Sequence, residues 1–304
     1  MKRHPEPSGR SAARHGGTRP ALPRPYRSEE RGNDGPRQGL RRLRIDLAFL
    51  GTSYRGWQVQ ARGATVQGLV DDALRKIGHR GPKVVGCSRT DSGVHALRFT
   101  AHADTALDRP LPALLKGLNA NLPPDVRVYR AAWAPSDFHA RYSSNGKAYR
   151  YHLYTGSVVP PALAPYVWQW HGPLSLPDMD ASARLVLGEH DFSPFTTADG
   201  REKNTLRTVA ECRWEQRGPL LVLHVGGPSF LHRMVRCIAG LLVAVGGGRM
   251  GEAHVRRALS GAMDGPQIPA LPAQGLALWR VEYPKALEPK DAFGEFPEGP
   301  EFPL

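Results

Sequence analysis

Cysteine is scarce in this chain of 304 residues, and its three copies lie far apart. Cys87, Cys212 and Cys237 form no CxxC pair and no Cys/His cluster with the spacing of metal ligands. The odd number and wide spacing argue against a disulfide framework and against structural zinc, and they favour a reducing compartment. We therefore expect a cytoplasmic protein without a bound metal.

Long hydrophobic runs are also absent. The longest apolar stretch, residues 238–245, is too short and too close to glycines to cross a bilayer, and the polar N-terminus lacks the apolar core of a signal peptide. The sequence thus predicts a soluble protein with no membrane partner. Its length is sufficient for one large domain or two medium ones with a substantial core.

Acidic residues are in deficit, since 28 Asp and Glu stand against 41 Lys and Arg. The resulting formal charge of +13 favours a polyanionic partner. Residues 1–42 hold eleven of the basic residues and four of the acidic ones, so this segment alone contributes +7. Because it is rich in Pro, Gly, Ser and Arg, it is predicted to be a disordered extension. It is either an electrostatic tether for nucleic acid or a solvated extension without a role.

The opposite end, residues 284–304, is rich in Pro, Asp and Glu and is predicted to be a flexible tail. The folded core then spans residues 43–283. Within it we separate an N-terminal half at 43–145 from a C-terminal half at 146–283.

Periodic patterns in the core predict an alternation of strands and helices. The alternating apolar residues of Leu43–Phe49 indicate a half-buried strand. Thr65 can cap a helix over 66–77, and Ser229 can cap another over 230–245. The remaining predicted elements are strands at 84–85, 97–103, 126–133, 148–154, 206–213 and 220–225 and after residue 276, and helices at 111–118 and 179–187. This order predicts an α+β fold in two similar halves, with helices on one face of a mixed, largely antiparallel sheet.

The stretch Arg89–Ala96 places one carboxylate in a tight turn beside an arginine. Thr90, Asp91, Ser92 and Gly93 favour a turn through side-chain to backbone hydrogen bonds and a permissive glycine. Because strands are predicted on both sides, Asp91 should project from a loop. A lone carboxylate without metal ligands nearby indicates covalent or proton-transfer chemistry, and the alternative is that Asp91 only caps the turn.

A charged residue also lies in the apolar helix predicted over 230–245. Arg236 has apolar neighbours and needs a partner for its guanidinium. His232, Arg233 and Gly240 share a stripe with it. The partner is either a structural carboxylate or Asp91, whose ionised form Arg236 would then stabilise.

Aromatic and basic residues alternate in the strand segment Tyr149–Tyr151. Such a strand can stack bases and contact phosphates, and it can equally serve packing alone. The same two readings apply to the segment Tyr54–Gln58, in which Gly56 allows close backbone approach and Arg55 suits a phosphate.

Eight short motifs follow one another along the core. They are Tyr54–Gln60, Thr65–Gln67, Arg89–Ala96, Phe138–Arg141, Lys147–Tyr151, His190–Phe195, Phe230–Arg236 and Gln274–Leu276. In this order they resemble the TruA-type tRNA pseudouridine synthases. The resemblance covers about residues 43–283 and includes neither terminal extension. It implies the pseudouridine synthase fold, with the active-site cleft between the two halves.

The resemblance also implies an activity and roles for individual residues. The family isomerises uridine to pseudouridine at positions 38, 39 and 40 in the anticodon arm of tRNA, as a cytoplasmic homodimer without cofactor or metal. Asp91 matches the catalytic aspartate, Arg236 the arginine that pairs with it, and Tyr149 the tyrosine that stacks on the target base. The other motif positions expected to contact RNA are Arg55, Trp57, Gln58, Arg89, Thr90, His95, Arg141, Lys147, Arg150, Tyr151 and Arg233.

Two positions depart from the family pattern. Phe99 stands where a glutamine is common, and Cys237 stands where an asparagine is usual. Both should affect only local hydrogen bonds and finer substrate selection. Two other function classes stay open on the residues alone: a hydrolase of N-glycosidic bonds, and a non-catalytic RNA-binding or chaperone protein in which Asp91 is structural.

Overall fold

The computed structural model describes residues 35–196, 204–262 and 268–296. The predicted N-terminal extension therefore lies outside the described residues as far as residue 34. The strands are β1 (Arg41–Phe49), β2 (Val85–Gly86), β3 (His95–Thr105), β4 (Val126–Trp133), β5 (Gly146–Tyr154), β6 (Trp168–Gln169), β7 (Gly188–Asp191), β8 (Leu206–Val209), β9 (Glu211–Arg217), β10 (Leu220–Gly227), β11 (Leu276–Glu282) and β12 (Ala292–Phe293). The α-helices are α1 (Val66–Lys76), α2 (Leu111–Asn121), α3 (Leu176–Leu185), α4 (Met234–Gly246) and α5 (Glu252–Leu259).

One sheet runs through both predicted halves. Within the described ranges it has ten strands, in the order β12-β4-β1-β3-β11-β5-β10-β9 with β2 beside β3 and β6 beside β5. Most pairs are antiparallel, whereas β11 with β3 and β5 with β6 are parallel. The α+β prediction with a mixed, largely antiparallel sheet is confirmed. Strand β11, late in the sequence, joins the halves because it lies between β3 and β5.

The helices pack on one face of this sheet. On β1 the alternate residues Leu43, Ile45 and Leu47 are buried in the same core as α1 and α2. In the second half α3 packs against both α4 and α5, and α4 contacts β5. Thr65 caps α1 as predicted, since its hydroxyl accepts from the Gly68 N–H at 3.3 Å. Among the described helices, none is long and apolar enough to cross a membrane.

The opposite face of the sheet carries buried charges that the C-terminal segment covers. Arg44 donates to Asp46 Oδ1 at 3.0 Å and to Glu288 Oε2 at 3.1 Å. Strand β12 extends the sheet by pairing Ala292 and Phe293 with β4. The prediction of a flexible tail from 284 is therefore wrong for residues 284–296, because these residues pair with strand β4 and with charges on the sheet.

Two other predicted boundaries move. The extension was predicted to reach residue 42, but β1 begins at Arg41, and Arg42 is buried with its Nε donating to Asp104 at 2.7 Å. The single strand predicted at 206–213 is two strands that separate at Ala210. Strand β8 pairs with β7 in a small second sheet, while β9 pairs with β10 in the main one.

Two helices begin elsewhere than predicted. Helix α3 begins at Leu176, and the Ser175 side chain caps it by accepting from the Asp178 N–H. Pro177 lies in the first turn, where a backbone N–H has no partner within the helix, so the N–H that proline lacks costs little. Helix α4 begins at Met234 and not at Phe230. Arg233 before it is in the left-handed region, with φ of 61°, so Ser229 is not the cap.

Candidate active site

Asp91 lies in the loop between β2 and β3, and a second loop braces its backbone. Its carbonyl accepts from the Val94 N–H at 3.2 Å, which closes the predicted turn. The Thr90 carbonyl accepts from the Trp57 N–H at 3.3 Å. Gly56, with φ of 78°, lies so close that an added Cβ would be 2.2 Å from this carbonyl. Only glycine allows this approach, so the loop at residues 54–58 supports the Asp91 turn.

Arg236 reaches Asp91 from the first turn of α4. Its Nη1 donates to Asp91 Oδ2 at 2.8 Å, and the two side chains are 14% and 15% exposed. The guanidinium is also held by the Leu271 carbonyl, which accepts from Nε at 2.7 Å. Arg236 therefore has in Asp91 the partner that its apolar surroundings required.

Gly240 allows the segment that holds Arg236 to approach α4. A Cβ at this position would lie 2.0 Å from the Pro269 carbonyl oxygen. The segment continues to Leu271, whose N–H donates to the Arg236 carbonyl at 3.2 Å. The glycine in the predicted stripe thus serves packing.

His232 is a second donor to Asp91. Its Nε2 lies 3.2 Å from Asp91 Oδ1, while half of the imidazole side chain is exposed. Burial raises the pKa of Asp91, but the hydrogen bonds and charges of His232 and Arg236 together lower it by a larger amount. The pKa of Asp91 therefore lies below its ordinary value. Both donors lie at the start of α4, where the helix dipole also favours a negative charge. Asp91 is therefore ionised at neutral pH.

Tyr149 lies beside the Asp91 loop on the helix-covered face of β5. Its hydroxyl is 3.2 Å from the Ser88 hydroxyl, and the Phe230 ring meets it edge-on at 5.2 Å between centroids. Burial raises the pKa of the Tyr149 phenol, and the nearby charge of Asp91 adds to this effect, although the hydrogen bond from Ser88 opposes it. The phenol is therefore protonated at neutral pH.

This carboxylate, arginine and tyrosine come from segments far apart in the chain. Comparisons with known proteins show the family to which the chain belongs. A family model described as tRNA pseudouridine synthase matches residues 182–284. The tRNA pseudouridine synthase A of Pseudomonas aeruginosa is 38% identical over 82% of this chain and 88% of its own length. That of Solidesulfovibrio magneticus is 43% identical over 80% of this chain and 92% of its own length. This chain belongs to the tRNA pseudouridine synthase A family.

A further relative is the tRNA pseudouridine synthase A of Geobacter sulfurreducens. It is 36% identical over 80% of this chain and 100% of its own length. Among solved structures, a Cbf5-Nop10-Gar1 complex is matched over 76% of this chain and 52% of its own chain, with a TM-score of 0.31 and 13% identity. That likeness is too weak to bear on the fold.

Most of the other predicted site residues of this synthase fall into two groups, whereas Lys147 and Arg150 are half-buried. The first is exposed and available to a polymer, namely Arg55, Gln58, Arg89, Arg141 and Arg233. Lys147 precedes Tyr149 by two residues and so shares its face of β5, where burial lowers the pKa of its ammonium. Within the described ranges, no group of three or more His, Cys, Asp or Glu side chains is placed to hold a metal ion.

The second group is buried in the core and offers no surface to RNA, which corrects the sequence-based prediction. Trp57 is 1% exposed and stacks on Phe99 at 4.2 Å between centroids. Tyr151 is fully buried and donates to the Pro272 carbonyl at 2.9 Å. Thr90 is buried as well. Trp57 and Tyr151 therefore contribute core contacts to the fold around the site.

His95 also belongs to the buried group. Its Nδ1 accepts from the Gly51 N–H at 3.0 Å, and its Nε2 lies 2.9 Å from the Pro165 carbonyl. Burial lowers the pKa of this imidazole. His95 therefore ties the start of β3 to two loops and, like Trp57, was wrongly predicted to contact RNA.

Arg150 lies on the wrong side of the sheet for the predicted contact. Neighbouring residues of a strand point to opposite faces, so Arg150 faces away from the helices when Tyr149 faces them. Its guanidinium lies over the Trp279 ring, 3.4 Å from the ring centroid. Arg150 is thus separated from Asp91 by the sheet.

The two departures from the family pattern are both accommodated by packing. The Phe99 ring is fully buried against Trp57 and Phe49. Cys237 is buried in α4 beside Arg236, and burial raises the pKa of its thiol to about 11. Phe99 thus replaces a polar side chain by core contacts, and Cys237 stays an uncharged thiol.

The sequence-based site omitted three residues that the fold brings to it. His232 and Phe230 lie in the motif Phe230–Arg236, and position within that motif is the sequence signal for them. Ser88 lies one residue before the motif Arg89–Ala96, so only its closeness to that motif points to it.

Proposed function

We propose that this synthase isomerises uridine to pseudouridine at positions 38, 39 and 40 in the anticodon stem-loop of tRNA, with Asp91 as the catalytic carboxylate. The observation that supports this most is the ion pair of Arg236 with Asp91 beside Tyr149. Three side chains that the family resemblance named together also lie together in the fold, as an active site requires.

The reaction needs an ionised carboxylate near the ribose and no redox chemistry. The bond from N1 to C1′ breaks, a bond from C5 to C1′ forms, the C5 proton leaves, and N1 gains a proton. Asp91, ionised by its two donors, can act in two ways: by attack to form a covalent adduct, or by removing a proton to give a glycal. Both routes need the charge that Arg236 and His232 stabilise.

Tyr149 contributes its ring and a protonated hydroxyl. Because its pKa is raised, the phenol is not a ready-made base for the C5 proton, so its role before the reaction is to contact the target base. A base inside a stem must leave its stack before it reaches Asp91. The exposed Arg55, Arg89 and Arg141 suit the phosphates on either side.

The resemblance to the family also supports a cytoplasmic homodimer that needs no cofactor or metal. The carboxylate and arginine chemistry described above is complete without one, since proton transfer and attack by an ionised carboxylate use only the residues at Asp91.

The replacement Asp91→Asn tests the assignment. It removes the charge and keeps the shape, so we expect no pseudouridine in an unmodified tRNA transcript while tRNA affinity stays near that of the wild type. Carbodiimide mapping at positions 38 to 40 measures the product, and filter binding measures affinity. The exposed Asp108, replaced in the same way, is the matched control and should stay active.

Measurement of free uracil beside the pseudouridine map separates the other two function classes. Release of free uracil by the wild type would indicate an N-glycosidic hydrolase. Binding of tRNA without either product would indicate a non-catalytic RNA-binding protein. Full pseudouridine formation by Asp91→Asn would refute the role of Asp91.

A further inference from the structure

We propose that His232 is a positioning residue for Asp91: it holds the carboxylate oxygen that Arg236 leaves open and so fixes the plane of the carboxylate. This inference rests on the proposed function, because it presumes that Asp91 acts on the substrate. The observation that supports it is that two donors contact different oxygens of the Asp91 carboxylate. Arg236 Nη1 is 2.8 Å from Oδ2, and His232 Nε2 is 3.2 Å from Oδ1.

One donor does not fix a carboxylate. A hydrogen bond to a single oxygen leaves the group free to turn about the bond between Cβ and Cγ. Donors on both oxygens remove this freedom and present the remaining lone pairs in one direction. A reacting group held in one orientation before substrate arrives lowers the entropic part of the barrier.

The backbone before α4 is shaped to bring His232 to this oxygen. Arg233 has φ of 61° and is the one residue other than glycine with positive φ in the described part of the chain. Such a conformation is unfavourable for a residue with a side chain, because the Cβ comes close to the following carbonyl oxygen. It is held by the buried Leu231 and Met234 on either side, whose backbones are linked by a hydrogen bond of 3.2 Å. Strain of this kind persists where the surrounding structure imposes it, often at functional sites.

The turn at Arg233 also explains why two donors from one segment reach two oxygens. A continuous helix from residue 230 would place His232 and Arg236 one above the other on one face. Because the helix starts only at Met234, His232 lies in the preceding turn and approaches Asp91 separately from Arg236.

Half of the His232 side chain is exposed, whereas Asp91 is 15% exposed, so replacement of His232 removes little buried surface. Its Nε2–H is present in the protonated ring and in one neutral tautomer, so the contact does not require a charge. Among the described residues, Arg236 of α4 also acts on Asp91, and Cys237 of α4 and Tyr149 of β5 respond to its charge. Replacement of His232 removes its donor to Asp91 Oδ1 and leaves the Arg236 donor in place.

The experiment compares His232→Ala and His232→Gln with the wild type, and His171→Ala serves as the control because His171 is exposed elsewhere. With enzyme in excess over tRNA, we expect His232→Ala to lower the single-turnover rate constant by about 10- to 100-fold, as for the loss of a hydrogen bond to a charged group. The dissociation constant for tRNA should stay unchanged. Glutamine keeps an N–H donor and should restore most of the rate.

A second readout does not depend on activity. In protein labelled with ¹³C at the aspartate carboxyl carbons, the Asp91 signal is identified by its loss in Asp91→Asn. Its titration midpoint should rise in His232→Ala and rise less in His232→Gln, because a donor to the ionised form lowers the pKa. If His232→Ala does not fold, His232→Leu, which also lacks a donor, takes its place in both measurements.

Three results would overturn the inference: a wild-type rate in His232→Ala, a glutamine variant no better than the alanine variant, or an unchanged Asp91 midpoint. These differ from failure of the proposed function. An active Asp91→Asn would refute the role of Asp91, whereas an inactive Asp91→Asn beside a fully active His232→Ala would refute only the positioning role.

Discussion

Replacement of Arg236 by methionine should destabilise the fold through the charge that it leaves on Asp91. Removing one partner of a buried ion pair costs about 3–5 kcal/mol. Both side chains keep 14–15% of their surface exposed, and His232 still donates to the other oxygen. We therefore expect the lower end of that range, about 3 kcal/mol of unfolding free energy at neutral pH.

A double-mutant cycle with Asp91→Ala separates the pair from the other contacts of Arg236. Loss of the hydrogen bond to the Leu271 carbonyl occurs in both backgrounds and cancels. The remaining coupling should be about 2 kcal/mol, within the range for residues in direct contact. Urea unfolding followed by tryptophan fluorescence measures all four proteins.

The pH dependence has a definite sign. Asp91 has a lowered pKa in the folded protein, so its stabilising effect is present above the ordinary aspartate pKa of about 3.9 and is lost as pH falls through the folded-state pKa. Without Arg236 the folded-state pKa of Asp91 rises. The stability difference between wild type and Arg236→Met should therefore be largest at neutral pH and shrink in acid.

The reasoning would be refuted if Arg236→Met cost the same in the Asp91→Ala background as in the wild type. A coupling below about 0.5 kcal/mol is within the additivity of independent sites. In that case the ion pair would not be what holds Asp91 ionised.

Three further predictions concern residues and a segment that the sequence alone assigned to RNA. Trp57→Ala should lower the free energy of unfolding by about 3–5 kcal/mol, because it removes a buried aromatic side chain. A Trp57→Ala protein as stable as the wild type would contradict the core position of Trp57. Arg89→Ala should weaken tRNA binding with little change in the urea midpoint. Deletion of residues 1–34 should flatten the dependence of tRNA affinity on salt, because fewer phosphates are neutralised, and an unchanged slope would make this segment a solvated extension.

Local patterns predicted most elements of the fold well because they depend on near neighbours in the chain. The alternation at Leu43–Phe49 identified β1, and Thr65 identified the start of α1. Such signals failed where a distant contact decided the outcome. The start of α4 moved because Arg233 adopts a left-handed conformation that the flanking buried residues impose.

Burial separated the candidate site residues in a way that motif membership could not. Trp57, His95 and Arg89 all lie in motifs of the family, yet only Arg89 is exposed. An aromatic or histidine side chain suits both a core and a base-binding surface, so residue type does not distinguish the two. The acidic C-terminal segment poses the same difficulty, since its composition matches a tail but Glu288 pairs with the buried Arg44.

The sequence by itself determined the family of this protein, the helix and strand pattern of its core, and the chemical types at its site: one carboxylate, one arginine and one tyrosine. These follow from residue identity and spacing. Only the tertiary structure decided that β11 joins the two halves, that Arg150 faces away from Asp91, and that His232 lies beside the second carboxylate oxygen. Those outcomes depend on which distant segments pack together and on the strained turn at Arg233. Neither the long-range packing nor the turn produces a periodic pattern in the sequence.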